Sequence, residues 1–416
     1  MKRTKSGWPR CRGAICAGKN SWFGTISHNR HNLQLARREK IVFDWRLKNF
    51  MSAKLHPLTV TPASLGYSMP AEWEPHSATW LTWPRADGIS FPDKFDMIPA
   101  YWTRMCRELI QGEEVHINTF DDAHEEGIHD CLAADKLAFT DSSGKTRGSS
   151  PRIFLHRFPA YEPWCRDHGP IFVKNPAAQE SLAVVDWGYN AWGGKYPPYD
   201  LDDDVPSKVA DLLGLPLFKN PTVMEGGSIE VNGRGALLTT TSCLLNQNRN
   251  PHLTQEQIEE QLRNYLGVTK ILWLGDGIAG DDTDGHIDDI TRFVSPNAIV
   301  TAVEYDPADE NYQPLMDNYE KLLGMTDQDG RPFRVISIPM PPRVEHEGQR
   351  LPASYANFYI GNEAVLVPVY GAETDGEVLV TLRELFPKRR VVGIDCTDLI
   401  WGLGAFHCVT QQQPAT

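Results

Sequence analysis

The sequence predicts an α/β fold made as one domain of five similar units with pseudo-fivefold symmetry. Two observations carry that expectation. One order of elements recurs five times from about residue 66 onward: a hairpin of two strand-like runs, an amphipathic stretch, then a closing strand. The units are of roughly similar length, and radial repetition of such units protects sheet edges that separate domains would leave open.

The first unit begins near Ala71, with the strand run Ala78 to Trp83, a helix about Met97 to Leu109 and a strand Val115 to Phe120. The second runs from Asp167 through Ile171-Phe-Val, Leu182 to Trp187 and a short helix Ser207 to Leu213. In the third, Ser228 to Val231 turns at Asn232-Gly233 into Gly235 to Thr240. Its helix, Thr254 to Leu266, opens on a capping box, with Gln257 three residues after Thr254, and Ile271 to Leu274 closes the unit. The fourth reads His286 to Val294, the turn Ser295-Pro-Asn297, Ala298 to Val303, a helix around Glu310 to Leu323 and Phe333 to Ile338. The fifth has Tyr355 to Ile360, the turn Gly361-Asn362, Ala364 to Tyr370, a helix Asp375 to Phe386 and Val391 to Ile394.

A chain of 416 residues, 41% hydrophobic and 23% charged, reads as globular. A net charge of −13 argues against nucleic acid or an acidic membrane as the main partner and suits a small cationic ligand, by steering. The eight cysteines include no Cys-x-x-Cys pair, which is neither a zinc pattern nor a disulfide framework and points to a reducing, cytoplasmic setting. No run of eighteen apolar residues exists to span a membrane. Residues 1 to 38 hold nine Lys or Arg and no acid. They read as a transit peptide, which would mean an organelle, or as an extension upstream of a start at Met51. Residues 1 to 65 are therefore assigned to a disordered basic segment, and 66 to 416 to the catalytic domain.

Chemistry concentrates in Gly275 to Asp289, which carries six aspartates, four glycines and His286. A strand from Ile287 would place His286 and Asp288 at its mouth on one face, and a carboxylate beside an imidazole favours the imidazolium. Asp282 to Gly285 looks like part of a calcium loop, but the register then puts Gly280 first and Thr291 at the terminal glutamate position. The starts of other hairpins carry Asp167, Glu225 and Asn357. Positions 167, 225 and 286 fall 58 and 61 residues apart, one repeat each. Equivalent positions in a radial array converge on the axis, where three carboxylates around one histidine call for a cation. Cys408, presented by the glycine-rich turn Gly402 to Phe406 just before a polar tail, is the candidate nucleophile. His286 or the adjacent His407 could support its thiolate. Sequence neighbours on a strand point apart, so His286 is favoured and His407 is assigned a structural role.

These motifs together resemble the agmatine deiminase branch of the guanidine-modifying enzyme superfamily, which also contains bacterial peptidylarginine deiminase relatives. The matching segments are Met69 to His76, Trp164 to Pro170, Glu225 to Ser228, Leu238 to Thr241, Asn248 to Pro251, Gly280 to His286, Leu351 to Tyr355 and His407 to Gln411. Two departures concern the turn Gly402 to Phe406, where many relatives read Gly-Gly-Gly-Asn-Ile, and Glu230, where some carry His. The resemblance implies a five-bladed α/β propeller (pentein). It implies Cys408 as nucleophile, His286 as acid and base, Glu225 as its orienting carboxylate, and Asp167 and Asp288 as a guanidinium clamp. Trp164 and Asn357 complete the expected substrate contacts. The implied reaction turns agmatine into N-carbamoylputrescine and ammonia through a Cys thiouronium, in polyamine (putrescine) biosynthesis, with no metal and no cofactor; a homo-oligomer is compatible with it. Two alternatives stay open at this level: the same chemistry on arginyl peptides or another guanidino compound, and a metal-dependent hydrolase built on His286, His407, Cys408 and the aspartates.

Overall fold

The computed structural model describes residues 54 to 416, so the expectations for residues 1 to 53 lie outside the described residues. Among the described residues of this α/β fold, five of six sheets share one plan, the sixth being the two-stranded pair Glu345–His346 and Gln349–Arg350. In each of the five, an antiparallel pair is followed by a helix and then by a strand that joins the sheet in parallel. The second to fifth units are contiguous in the chain. Strands Ile171–Lys174, Leu182–Gly188 and Leu217–Val223 form one sheet, and Glu230–Val231, Ala236–Thr240 and Lys270–Leu274 the next. Thr291–Ser295, Ala298–Val303 and Arg334–Pro339 follow, then Tyr359–Ile360, Ala364–Val369 and Arg390–Asp395.

The first unit is completed from the far end of the chain. His76–Thr82 pairs in parallel with Glu114–Asn118, but its antiparallel partner is Thr410–Pro414, with Trp80 opposite Gln411. The stretch after Cys408, expected as a polar tail, is thus a strand whose residues Thr410, Gln411 and Gln412 are buried. Two of its glutamines find partners far away in sequence: Gln413 accepts from Trp80 Nε1 at 2.8 Å and Gln412 from Arg166 Nη1 at 2.7 Å, while the buried Gln411 Oε1 has none. Polarity is no bar to a buried edge strand when most of its buried polar groups find partners.

Crossover helices bury one face against these sheets. The helix Gln255–Leu266 has the expected capping box at Thr254 and Gln257, ends on left-handed Gly267, and packs Ile258, Leu262 and Leu266 with Val185, Phe218 and Leu237. Two strand assignments shorten. Only Tyr359–Ile360 of the run from Tyr355 is strand, and Ile287–Asp289 is a single 3-10 turn before the strand Thr291–Ser295. Both exceptions lie where the backbone bends to present side chains. Residues 54 to 65, assigned by sequence to the basic segment, lie against the folded unit: His56 stacks on Phe218 with centroids 4.3 Å apart, and its N–H donates to Leu217 O.

Candidate active site

Each sheet's first strand is preceded by a short turn, and those five turns carry the candidate residues. Asp167 sits on the one-turn helix Cys165–His168, and Glu225 precedes the turn Gly226–Ser228. His286 and Asp288 bracket the start of the turn Ile287–Asp289; Asn357 and Cys408 stand just ahead of their strands. The expected strand mouth for His286 and Asp288 is corrected to this helical turn, which still brings His286 Nδ1 to 4.0 Å from Asp288 Oδ1. All of these side chains are buried.

The acidic stretch is not a solvated loop, because its aspartates build the turn. Asp281 accepts from the backbone N–H groups of Thr283, Gly285 and His286, Asp284 pairs with Arg249 at 2.5 Å, and Lys195 lies 3.3 Å from Asp282. Those bonds aim the imidazole of His286 inward. Its Nδ1 lies 3.7 Å from Asp167 Oδ1 and its Nε2 3.9 Å from Glu225 Oε2, and neither ring nitrogen has a hydrogen-bond partner. Burial disfavours its charge, yet Asp167, the Cys243 thiol and Glu225 outweigh burial and hold the imidazolium well above the ordinary histidine range.

The carboxylates around it are individually anchored. Asp167 accepts from Trp192 Nε1 at 2.9 Å and from Gly227 N–H at 3.0 Å. Burial, with Asp288 and Glu225 nearby, pushes its carboxyl up to about 6 against the pull of His286. Glu225 spends Oε1 on Arg249 Nε at 2.7 Å and leaves Oε2 unpartnered toward His286. Asp288 gives Oδ2 to His407 Nδ1 at 2.7 Å and keeps Oδ1 unpartnered. Burial acts to raise its carboxyl, but the His407 hydrogen bond and charge bring it below the ordinary range.

Gly227 lies at the centre of this group. A Cβ there would stand 2.6 Å from His286 Nδ1, 2.7 Å from Asp167 Oδ1 and 3.1 Å from Asp288 Oδ2, so only glycine keeps the space between the three groups open.

Cys408 Sγ closes the site, 3.6 Å from Asp288 Oδ2 and 3.0 Å from Asn357 Nδ2. Asn357 also donates Nδ2 to Asp289 Oδ1 and accepts from the His407 and Cys408 N–H groups with Oδ1. It therefore touches the thiol and the turn that carries it; the cavity wall does not include it. Burial and then the Asp288, Asp289 and Asp167 charges push the thiol well above its usual range. A thiol surrounded by carboxylates stays protonated until a cation arrives.

A cavity of about 300 Å³ leads to Cys408 and Asp167. Trp164, Trp192 and Trp401 line it together with the acids Glu162, Asp282 and Glu347, and no lysine or arginine of the described residues does. Trp164 is held by a 2.9 Å bond to Ser90 Oγ and lies over Gly404, whose missing Cβ would approach its ring to 2.5 Å. Arg166 is turned away from the cavity, to Gln412, Glu72 and the His407 carbonyl.

Two sets of donors could hold a cation other than substrate: Glu225, Cys243 and His286, and Asp288, Asp289 and Cys408. In each set one carboxylate oxygen is already bound, to Arg249 or to His407. Sequence reasoning missed Glu72, Arg249, Trp192, Gly227 and Cys243 as members of the site. All but Trp192 and Cys243 lie inside segments that carry the family resemblance, so motif membership was the available signal. What each residue touches was not encoded there.

The model of the Porphyromonas-type peptidyl-arginine deiminase family matches residues 68–414. The agmatine deiminase of Medicago truncatula is 36% identical over 390 residues, covering 85% of this chain and 98% of that relative. Among solved structures, agmatine deiminase of Enterococcus faecalis aligns with a TM-score of 0.78 at 31% identity, over 87% of this chain and 99% of the other. A Cys-to-Ser variant of C. jejuni agmatine deiminase with substrate bound aligns with a TM-score of 0.71 at 29% identity, over 83% and 96%. The chain belongs to the Porphyromonas-type peptidyl-arginine deiminase family.

Proposed function

We propose that this member of the family is an agmatine deiminase, hydrolysing agmatine to N-carbamoylputrescine and ammonia in the cytoplasmic route to putrescine. We also take the five sheets to be the blades of one α/β propeller. That places the five turns on a common axis, in keeping with the meeting of Asp167, Glu225, His286, Asp288 and Cys408 from distant parts of the chain. The observation that carries the reading is the unpartnered His286 ring among three carboxylates beside the Cys408 thiol, around the space left by Gly227. Three carboxylates around one imidazolium leave excess negative charge, which a further planar cation would offset. A guanidinium is charged at any ordinary pH and offers its N–H fork to carboxylates.

In this mechanism Asp167 and Asp288 bind the fork and set the central carbon facing Sγ. The arriving cation offsets the carboxylates that hold the thiol neutral, and Cys408 passes its proton to solvent water as substrate binds. The thiolate adds to the carbon, and the C=N electrons move onto nitrogen. The His286 imidazolium protonates the departing nitrogen, ammonia leaves, and a thiouronium remains on sulfur. Neutral His286 then takes a proton from water as it attacks, and collapse of that adduct returns the thiol and releases the urea product. Glu225, fixed by Arg249, keeps the imidazole oriented and favours its charged form. Asn357 holds the sulfur by its 3.0 Å contact.

The substrate tail selects agmatine over arginine. A buried α-carboxylate needs a cationic partner. The cavity wall offers Glu162, Asp282 and Glu347 instead, with indole faces for the methylene chain. Ammonia release measured on agmatine, free arginine and arginyl peptides tests the assignment; a higher kcat/KM on either arginine form overturns it. Activity that survives chelator but is lost to iodoacetamide separates it from a metal-dependent hydrolase.

A further inference from the structure

The segment Met69 to His76 carries the family pattern, yet none of its residues enters the chemistry above. Its Glu72 is buried within hydrogen-bonding distance of the site's outer edge. Oε2 accepts from His407 Nε2 at 2.8 Å and from Arg166 Nη2 at 3.3 Å. Oε1 accepts from Ile360 N–H at 2.8 Å and lies 2.9 Å from Arg292 Nη2. The other nitrogen of His407 meets Asp288 Oδ2 at 2.7 Å. A continuous chain, Glu72 to His407 to Asp288, therefore ends at a carboxylate whose bonded Oδ2 lies 3.6 Å from Cys408 Sγ and whose Oδ1 has no hydrogen-bond partner.

We propose that Glu72 is a positioning residue for deimination: acting through His407, it keeps Asp288 ionised and oriented so that Oδ1 faces the substrate guanidinium. The inference rests on the role given to Asp288 above.

The physical reason is that a buried carboxylate beside Asp289 and Asp167 favours its neutral form. A neutral imidazole has one hydrogen and can serve one carboxylate. His407 faces two, and both contacts are satisfied only when both nitrogens carry hydrogen. Glu72 is the second acceptor that keeps it so. Arg166 and Arg292 neutralise Glu72 in turn, so the chain does not accumulate negative charge. Glu230 provides an internal contrast. It shares Arg292 at 3.0 Å but has no hydrogen bond to His407, and burial with the neighbouring Glu72 charge leaves its carboxyl raised, whereas Arg292, His407 and Arg166 overcome burial at Glu72 and hold it well below the usual range. The charged and titratable groups facing Asp288 are His407, His286 and Cys408, with Asp167, Asp289 and Arg292 acting at longer reach.

The test is a double-mutant cycle in the full chain with Glu72→Gln and Asp288→Asn, read as kcat and KM across pH. Glu72→Gln is expected to raise KM on the order of tenfold, more than it lowers kcat, as for loss of one charge-assisted contact. The acid limb of kcat/KM, set by Asp167 at about pH 6 in the unaltered protein, should steepen and move to higher pH, because Asp288 then protonates more readily and joins it. Added to Asp288→Asn, it should cost little more, since its effect runs through that carboxylate. Full additivity, or an unmoved acid limb, overturns the proposal. Arg166→Lys disturbs the same buried network without cutting the chain and should leave the limb in place. If Glu72→Gln does not fold, His407→Gln interrupts the chain at its middle and must give the same limb shift. Ammonia release by the unaltered protein shows first which guanidino compound it turns over. The cycle is run on that compound, so an error in the agmatine assignment is distinguishable from failure here.

Discussion

Two histidines lie close to Cys408, and they differ in every respect that matters to chemistry. Both are buried. His407, its neighbour in sequence, has each ring nitrogen bonded to a carboxylate, at 2.7 and 2.8 Å. His286, more than a hundred residues away, stands between three carboxylates at 3.7 to 4.0 Å, and neither nitrogen has a hydrogen-bond partner. A ring tied at both ends has no nitrogen free to exchange a proton. A ring held by longer-range charge can be an imidazolium and still deliver its proton. The difference teaches that saturation of hydrogen bonds, rather than nearness to Cys408 in sequence, decides which ring could exchange a proton in the mechanism proposed.

The most severe way to test this comparison removes the group that both histidines surround. Cys408→Ser keeps shape and folding but lacks a comparable anion at neutral pH, and turnover should vanish. Retention of a few per cent of activity in ammonia-release assays would move the nucleophile elsewhere. His286→Ala should follow, with a loss on the order of 10²- to 10⁴-fold, because one imidazole serves both the departure of ammonia and the attack of water. Intact-mass analysis with substrate should find no turnover-competent adduct cycle; full-speed turnover would assign the proton transfers to His407 after all.

Gly227→Ala sharpens the comparison without touching either ring. Its Cβ would occupy the space 2.6 Å from His286 Nδ1, so binding of agmatine should be lost while the melting temperature shifts only modestly. A smaller effect is expected from Asp288→Asn, which exchanges one charged contact for a neutral one. The expected cost is about 1.5–3 kcal/mol in kcat/KM, chiefly as a raised KM.

The mildest test is pH. The Asp167 carboxyl lies at about 6 in the folded protein, above its usual value, so in the empty protein its ionisation is disfavoured. The sign follows: this group lowers stability as pH rises from about 4 through about 6, and a bound guanidinium removes the penalty. Thermal stabilisation by agmatine should therefore grow on passing above about pH 6, while kcat/KM falls below it. A stabilisation independent of pH between 5 and 8 would take Asp167 out of the clamp.

Much of the fold was legible because its signals are local. The turn Asn232-Gly233, the capping box at Thr254 and the amphipathic run after it need only neighbouring residues to act. The α/β plan of hairpin, helix and parallel strand follows from them in four units. The candidate residues were legible for a related reason: each precedes the first strand of its unit, and the repeat spacing links them. Elsewhere local pattern misled. Ile287 to Asp289 has the composition of a strand but turns, since the Asp281 side chain captures the backbone N–H groups ahead of it. Thr410 to Gln413 has the composition of a tail but forms a strand, because His76–Thr82 lacks an antiparallel partner nearby in sequence.

By itself, then, the sequence carried the plan of four units and the convergence of Asp167, Glu225, His286 and Asp288, near which Cys408 also falls. These depend on spacing and residue chemistry, which the chain carries in one dimension. Tertiary structure alone decided the partners: Arg249 on Glu225, Trp192 on Asp167, Asn357 on the thiol, and Glu72 with Asp288 on His407. Buried polar groups must be satisfied by whatever lies within about 3 Å after packing, and packing brings together residues hundreds of positions apart.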